Sequence, residues 1–164
     1  PKYLTSTSED RYRRGVYVIW RRSAPYPSFI NFDAPDRGAC VINRSQTNTP
    51  LQALTLLNDP AYIEIAIGLA KRLATKGLTS NLSDRERVVY AFRLCVAREP
   101  KTNEVDHLAN VFQQELKYFQ DHPQAAQRLI SAENRPEGVG ATRMAAWLYI
   151  SNILLNLDET ITKG

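Results

Sequence analysis

The sequence is poor in the residues that most often bind metals or link distant parts of a chain. Its 164 residues include only two cysteines, Cys40 and Cys95, and two histidines, His107 and His122. No Cys-x-x-Cys or Cys-x-x-Cys-His motif occurs, which excludes a zinc ribbon and a c-type haem attachment site within this chain. We favour two buried thiols over a single disulfide. Neither histidine has a second one at ligand spacing, and we expect both to face solvent.

The sequence also lacks any apolar run long enough to span a bilayer, and it shows no signal peptide. It begins Pro1-Lys2-Tyr3, without a starting methionine. We therefore expect an excised fragment or a processed product of a longer protein. The Gly-x-Ser-x-Gly, His-Glu-x-x-His, phosphate-loop and dinucleotide-binding motifs are absent as well. No reaction can be assigned from a motif.

What is present is a globular composition with an uneven charge. Hydrophobic residues make up 43% and charged residues 23%, which suits one domain with a buried core. We expect a flexible tail at residues 1–10 and a single domain over residues 11–160. Residues 1–50 hold eight Lys/Arg and four Asp/Glu, so they carry the whole net charge of +4. Solvated arginines are the commoner explanation, and a weak nucleic-acid binder is the alternative.

Helix-start signals predict a mainly α-helical fold. Residues 49–52 and 83–86 are capping boxes, and the first opens a short helix from Pro50 to near Asn58. Asp59-Pro60 begins another helix that we expect to end at Gly77. We expect Thr102 to be the N-cap of a long helix, a shorter helix to begin after His122-Pro123, and a last helix to run from residue 141 to about residue 157. Apolar residues recur every three or four positions in these segments. The sequence thus predicts an irregular bundle of five to six helices with a shared core of Tyr62, Leu69, Phe92, Phe112, Leu116, Trp147 and Leu154.

The amino-terminal segment has a different pattern. Residues 11–22 are rich in β-branched and aromatic residues between arginine pairs, which favours a short strand over a short helix. Residues 40–43 are a second candidate strand. The two could pair as a small two-stranded ribbon beside the helices. Of the aromatic residues nearby, we expect most to be packing contacts rather than a stacking surface for bases or sugars: Tyr17, Trp20, Tyr26 and Phe29.

The stretch over residues 32–60 contains the candidate site, because it concentrates carboxylates, guanidinium groups, amides and hydroxyls. The candidate residues for a polar network or a binding site are Asp33, Asp36, Arg37, Arg44, Gln46, Thr47 and Asn48. Large apolar residues are few here, so these polar groups must close on one another or on a ligand. Arginine suits either case, because its planar fork meets a carboxylate at two points. We favour a structural network, with binding of an anion or a sugar at the loop as the alternative.

Several segments of the sequence belong to one recognisable pattern. The longest and most specific is the run Thr-Asn-Thr-Pro-Leu-Gln-Ala-Leu at residues 47–54. Shorter segments lie at residues 13–17, 20–22, 32–37, 57–60, 91–93, 98–100 and 154–159, with the single residues Pro25, Cys40 and Arg44. Together they resemble, from about residue 11 to residue 160, the C-terminal part of the planctomycete-type, cytochrome-c-associated domain of unknown function DUF1553.

The resemblance implies a large, exported, periplasmic or cell-surface parent protein that serves surface redox chemistry or polysaccharide use. Such parents carry a haem domain elsewhere, so we expect no cofactor and no metal in this fragment. The family offers no catalytic residues to transfer. We expect a binding or scaffolding module whose partners are other domains of the parent, or a glycan or anionic ligand. The alternative is a hydrolytic enzyme with a site around Asp33, Asp36, Arg37 and Arg44.

Overall fold

The computed structural model describes residues 8–21, 23–43, 45 and 47–162. The chain forms two compact units, Pro1–Gln52 and Ala53–Gly164. Across the described ranges there are eight α-helices and no strand, which confirms the mainly α-helical fold. The single domain over residues 11–160 stays a prediction, since two compact units can belong to one domain. Of the predicted tail, residues 1–7 lie outside the described residues, and residues 8–10 open a short 3-10 helix.

In the first unit, the strand predictions are wrong for the described residues. Two 3-10 helices, Ser8–Tyr12 and Gly15–Tyr17, are followed by α1, Pro27–Asn31. The N–H of Tyr17 donates to the carbonyl of Arg14 at 3.0 Å, so this backbone is satisfied locally rather than by a partner strand. Residues 40–43 form bends and irregular backbone. β-propensity reflects packing on a sheet, and here no sheet forms among the described residues.

Helix α2, Pro50–Asn58, begins in the first unit and ends in the second. Its bounds confirm the predicted start at Pro50 and end near Asn58. The second unit then contains six further helices, whose bounds are α3 Pro60–Ser80, α4 Asp84–Val96, α5 Thr102–Asp121, α6 Pro123–Leu129, α7 Ala141–Leu155 and α8 Asp158–Ile161. A 3-10 helix, Ala132–Asn134, precedes the loop before α7.

Helix α7 lies at the centre of the second unit and packs against α3, α4, α5, α6 and α8. Trp147 on α7 is fully buried and stacks on Phe112 of α5, with ring centroids 4.1 Å apart. Phe92 and Leu154 belong to the same buried cluster, and Leu69 and Leu116 pack against it half-buried. These positions confirm the predicted core, except that Tyr62 is half-buried outside the cluster. One apolar core therefore organises the second unit.

Local signals set most helix starts correctly, but two helix boundaries differ from the prediction. α3 continues past Gly77 to Ser80 and ends at Asn81, whose left-handed φ of 48° closes the last turn. The N-cap of α5 is Lys101 rather than Thr102, because the Glu104 carboxylate accepts a 2.6 Å hydrogen bond from the N–H of Lys101. Asn81 therefore ends α3 where we expected Gly77, and Lys101 caps α5 where we expected Thr102.

Among the described residues, no helix combines the length and the apolar character that crossing a membrane requires.

Candidate functional site

The site begins where α1 ends, at Asp33. Asp33 adopts a left-handed φ of 55°. The N–H of Asp33 donates to the carbonyl of Ile30 at 3.3 Å, and the N–H of Ala34 donates to that of Phe29 at 2.8 Å. This pair of bonds is the Schellman arrangement, in which the residue after the helix cap turns the chain sharply. Aspartate tolerates the left-handed region better than most residues, and Pro35 then prevents the helix from resuming.

The turn places the Asp33 carboxylate against the loop before α2. One oxygen, Oδ2, accepts hydrogen bonds from the backbone N–H and from the hydroxyl of Thr47, each at 2.8 Å. The two residues are 14 positions apart, so this contact ties the end of α1 to the loop that leads into α2. The structure thus brings together two of the residues that the sequence singled out.

Gln52 completes this network and is the buried residue at its centre, with 1% of its surface exposed. Its side-chain Nε2 donates to the carbonyl of Asn31 at 2.7 Å and to the Thr47 hydroxyl at 3.1 Å. Its Oε1 accepts from the N–H of Thr49 at 3.0 Å, while its own N–H donates to the Thr49 hydroxyl at 3.3 Å. The predicted capping box is therefore confirmed, and its glutamine also holds the end of α1.

Two further predicted site residues make contacts of their own, outside the bonds just described. The Asp36 side chain turns back on its own loop and accepts from the N–H of Gly38 at 2.8 Å. Arg37 is exposed, has a left-handed φ of 61°, and places its guanidinium 5.6 Å from the Trp20 ring centroid. Asn48 is exposed. The remaining two, Arg44 and Gln46, lie outside the described residues.

The aromatic residues form a packing cluster on α1, as expected for most of them. Phe29 stacks on Trp20 with centroids 5.7 Å apart and meets Tyr26 edge-on at 5.5 Å. A Cβ at Gly15 would lie 2.7 Å from the Phe29 ring, so only glycine allows this approach. Tyr17 is 64% exposed and lies outside the packing that the sequence suggested. Trp20 carries Arg37 on its face, a contact that stabilises the turn.

Metal and thiol chemistry has little structural basis in the described part of the chain. No group of three or more His, Cys, Asp or Glu side chains there could hold a metal ion. His107 and His122 are exposed, which confirms their expected placement, and His122 stacks on Tyr118 with centroids 4.6 Å apart. Cys95 is half-buried, whereas Cys40 is exposed and outside any disulfide, so the prediction of two buried thiols is wrong for Cys40.

Sequence reasoning missed the role of Gln52. The glutamine was identified as the third residue of a capping box, a local signal that says nothing of Asn31 or Thr47. Reasoning from the sequence also did not foresee that the leucines of α2 face outward: Leu51, Leu54 and Leu57 are 55%, 58% and 48% exposed. Their spacing of three residues does place them on one helical face, but periodicity alone cannot say whether that face meets a core or solvent.

Comparison with known families now bears on this site. The model of the family described as PSD1, protein of unknown function (DUF1553), matches residues 1–112. The chain belongs to this family. The family match includes the whole Asp33–Thr47–Gln52 network and the helices from α1 to α4, with about the first half of α5. The segments that resemble the family continue to about residue 160, whereas the family model matches only as far as residue 112. Neither characterised proteins nor solved structures gave a match.

Proposed function

We propose that this chain is a binding or scaffolding module of an exported, cytochrome-c-associated multidomain protein, and that its partner is another domain of that protein. Family membership supports this proposal, because the resemblance implies a multidomain parent protein with a haem domain elsewhere. On this proposal the chain itself needs no cofactor. Its role is to hold a defined surface against a neighbouring domain.

The observation that carries the proposal is the burial pattern of the first unit. In its described part no apolar side chain is buried, and the one buried residue is the polar Gln52. Among the residues whose burial is described, the buried apolar ones all lie between Ala66 and Leu154. Single exposed apolar residues are ordinary on protein surfaces. A unit in whose described part no apolar side chain is buried is unusual, because apolar burial is the main favourable term in folding.

The exposed apolar residues of the first unit are numerous and large. Ile42 is fully exposed, and Ile19 and Tyr17 are 73% and 64% exposed. The others are Tyr12, Val16, Tyr26, Ile30, Val41 and Leu51. Removing apolar surface from water stabilises an interface by about 25 cal/mol per Å². A neighbouring domain that covers these residues would therefore supply the burial that the unit lacks.

The polar network supports the scaffolding part of the proposal. Hydrogen bonds from Thr47 to Asp33, and from Gln52 to Asn31, set the path of the loop without an apolar core. The Asp33 carboxylate accepts two of these hydrogen bonds, both from Thr47. A loop held in this way presents neighbouring side chains in a fixed arrangement, which lowers the ordering cost of binding. The hydrolytic and nucleic-acid alternatives gain no such support from a particular contact.

The exposed thiol of Cys40, next to Val41 and Ile42, offers a direct test. The rate of Cys40 alkylation is compared between this chain and the parent protein, both with Cys95→Ala. We expect at least a tenfold slower reaction in the parent, because a neighbouring domain covers this segment. A thiol placed at the exposed position Gln120 of α5, in a Cys40→Ser background, is the matched control and should react equally in both.

A variant separates docking from simple crowding. Ile42→Ser removes an exposed apolar side chain, so it should leave the stability of the isolated chain unchanged and raise Cys40 alkylation in the parent. Leu129→Ser, which changes an exposed leucine of α6, should also leave the stability unchanged but should not raise Cys40 alkylation in the parent. Equal Cys40 rates in the chain and in the parent would refute the docking proposal.

A further inference from the structure

Two cations of α3 meet the same aromatic ring of α4. The Cζ of Arg72 lies 5.7 Å, and the Nζ of Lys76 5.4 Å, from the centroid of the Tyr90 ring. Arg72 Nε also donates to the Tyr90 hydroxyl at 2.9 Å. Tyr90 is half-buried and packs against the apolar core, so its ring has a fixed position at the surface. The ring therefore gathers a guanidinium, an ammonium and a hydroxyl group at one place.

No carboxylate among the described residues neutralises these two cations. Neither Arg72 nor Lys76 forms a salt bridge with a residue that the structure describes, and the sequence has no Asp or Glu from residue 65 to residue 83. The acidic residue one turn before Tyr90 is Glu86, whose carboxylate already accepts from the N–H and the hydroxyl of Ser83, at 2.8 and 2.6 Å. Like charges four positions apart on a helix repel each other. The pair thus leaves local positive charge unbalanced.

The arginines of α4 show the opposite arrangement. Each of them pairs with a carboxylate: Arg85 with Asp106, Arg87 with Asp84, and Arg93 with Glu99. Arg87 also lies over the ring of the buried Trp147, with Cζ 5.2 Å from the ring centroid, yet it keeps its carboxylate as well. Arg72 has an aromatic ring and a hydroxyl in place of a carboxylate. Its charge is therefore positioned without being neutralised by the described part of the chain.

The contact with Tyr90 leaves most hydrogen-bond donors of the two cations available. A guanidinium and an ammonium together offer several N–H groups. Nε of Arg72 donates to the hydroxyl, whereas its two Nη groups and the Nζ of Lys76 donate to no described residue. Arg72 is exposed, and Lys76 is half-buried. A ligand in solution reaches these donors at the surface, so binding requires no cavity in the fold.

We propose that Arg72, Lys76 and Tyr90 form a surface site for a tetrahedral oxyanion, phosphate or sulfate. The planar fork of an arginine meets two oxygens of such a group at once, and a lysine adds a point charge. A doubly charged oxyanion offsets both cations, and a further oxygen accepts from the Tyr90 hydroxyl. The hydrogen bond between Arg72 and Tyr90 fixes the guanidinium in advance, which lowers the ordering cost of binding. This inference is independent of the proposed docking function, since it concerns only α3 and α4.

The test is an NMR titration of the whole isotope-labelled chain. Phosphate and sulfate are compared with chloride at constant ionic strength and pH. We expect saturable shifts of the Arg72 Nε–H signal and the Lys76 amide signal with the two oxyanions, and none with chloride. Glycerol phosphate then distinguishes the source of the group. Binding at least as tight as that of free phosphate assigns the site to phosphate esters, and weaker binding assigns it to the free ion.

Three variants and a control locate the site. Arg72→Gln and Lys76→Gln each remove one charge, and each should raise the Kd for phosphate about tenfold, as read from the signal of the residue that remains. Tyr90→Phe keeps the ring but removes the hydroxyl, and should raise the Kd about threefold. Lys117→Gln, at an exposed position of α5, makes the same change of charge and should leave the Kd unchanged.

Two results would overturn the proposal. The first is an equal response to chloride and to phosphate, which would mean that the two cations only sense general ionic screening. The second is an unchanged phosphate affinity in both Arg72→Gln and Lys76→Gln, which would place the oxyanion elsewhere on the chain.

Discussion

Asp33 and Thr47 are joined by two hydrogen bonds to one carboxylate oxygen, each 2.8 Å long, although 14 positions separate them in the sequence. Thr47 supplies both its backbone N–H and its hydroxyl, and the hydroxyl in turn accepts from Gln52 at 3.1 Å. The contact follows directly on the left-handed turn at Asp33, which ends α1. A polar contact of this kind orders a loop that has little apolar surface to bury.

The first prediction concerns the glutamine at the centre of this network. Gln52→Leu keeps the volume nearly constant but removes the donors to Asn31 and Thr47 and the acceptor for Thr49. Leaving buried polar groups without partners costs about 1–3 kcal/mol, so we expect a loss of that size in the free energy of unfolding. Urea denaturation measures it. Gln113→Leu, at an exposed position of α5, is the control and should change stability by less than about 0.5 kcal/mol.

The second prediction concerns the start of α4. Ser83 forms a full capping box, since its hydroxyl accepts from the N–H of Glu86 at 3.3 Å and the Glu86 carboxylate accepts from the N–H of Ser83 at 2.8 Å. Ser83→Ala should therefore cost about 1 kcal/mol. Thr102→Ala is the instructive comparison, because the structure makes Thr102 the first helical residue rather than the cap. It should cost nothing measurable, and a loss of 1 kcal/mol there would restore the cap predicted from the sequence.

The third prediction concerns the stacked pair in the core. Phe112 is fully buried against Trp147, so Phe112→Ala leaves a cavity that the surrounding helices cannot fully close. We expect a loss of about 3–5 kcal/mol in the free energy of unfolding. Tyr118→Ala on the same helix removes a ring that is 49% exposed and should cost far less. Similar losses for the two variants would contradict the assignment of this face of α5 to the core.

The fourth prediction follows from an ion pair between helix ends. Arg98 donates to both oxygens of Glu104, at 2.9 and 2.7 Å, and to Glu159 of α8 at 2.6 Å. The hydrogen bonds from Arg98, then that from the N–H of Lys101, lower the pKa of Glu104 from an ordinary 4.5 to about 2. A carboxyl whose pKa is lowered on folding contributes stability above its unfolded pKa and loses it as the pH falls through the folded one.

The stability of the protein should therefore decline between pH 4.5 and about pH 2 in part because Glu104 takes up a proton. Glu104→Gln should flatten this part of the profile, as measured by urea midpoints across the range. Glu115→Gln, on the same helix but outside the ion pair, should leave the slope unchanged. The idea fails when Glu104→Gln declines over this window as steeply as the unaltered chain.

Sequence reasoning succeeded where the deciding interaction is local. The starts of α2, α3 and α4 depend on Thr49, Asp59 and Ser83, each of which bonds a backbone N–H two or three residues away. The break between α5 and α6 depends on Pro123, whose ring and missing N–H end a helix in any setting. Sequence reasoning failed for the two predicted strands, because a strand requires a partner strand that residue types alone do not reveal.

By itself, the sequence determined the helical class of this protein, most of its helix starts, the apolar stripes of α5 and α7, and its family. These follow from short-range hydrogen bonds and from a periodicity that repeats within a single helix. Only the tertiary structure decided that Gln52 is buried, that the leucines of α2 face outward, and that Arg87 lies on Trp147. Each of these arrangements depends on contacts between residues that are far apart in the chain, and such contacts form only when the helices pack.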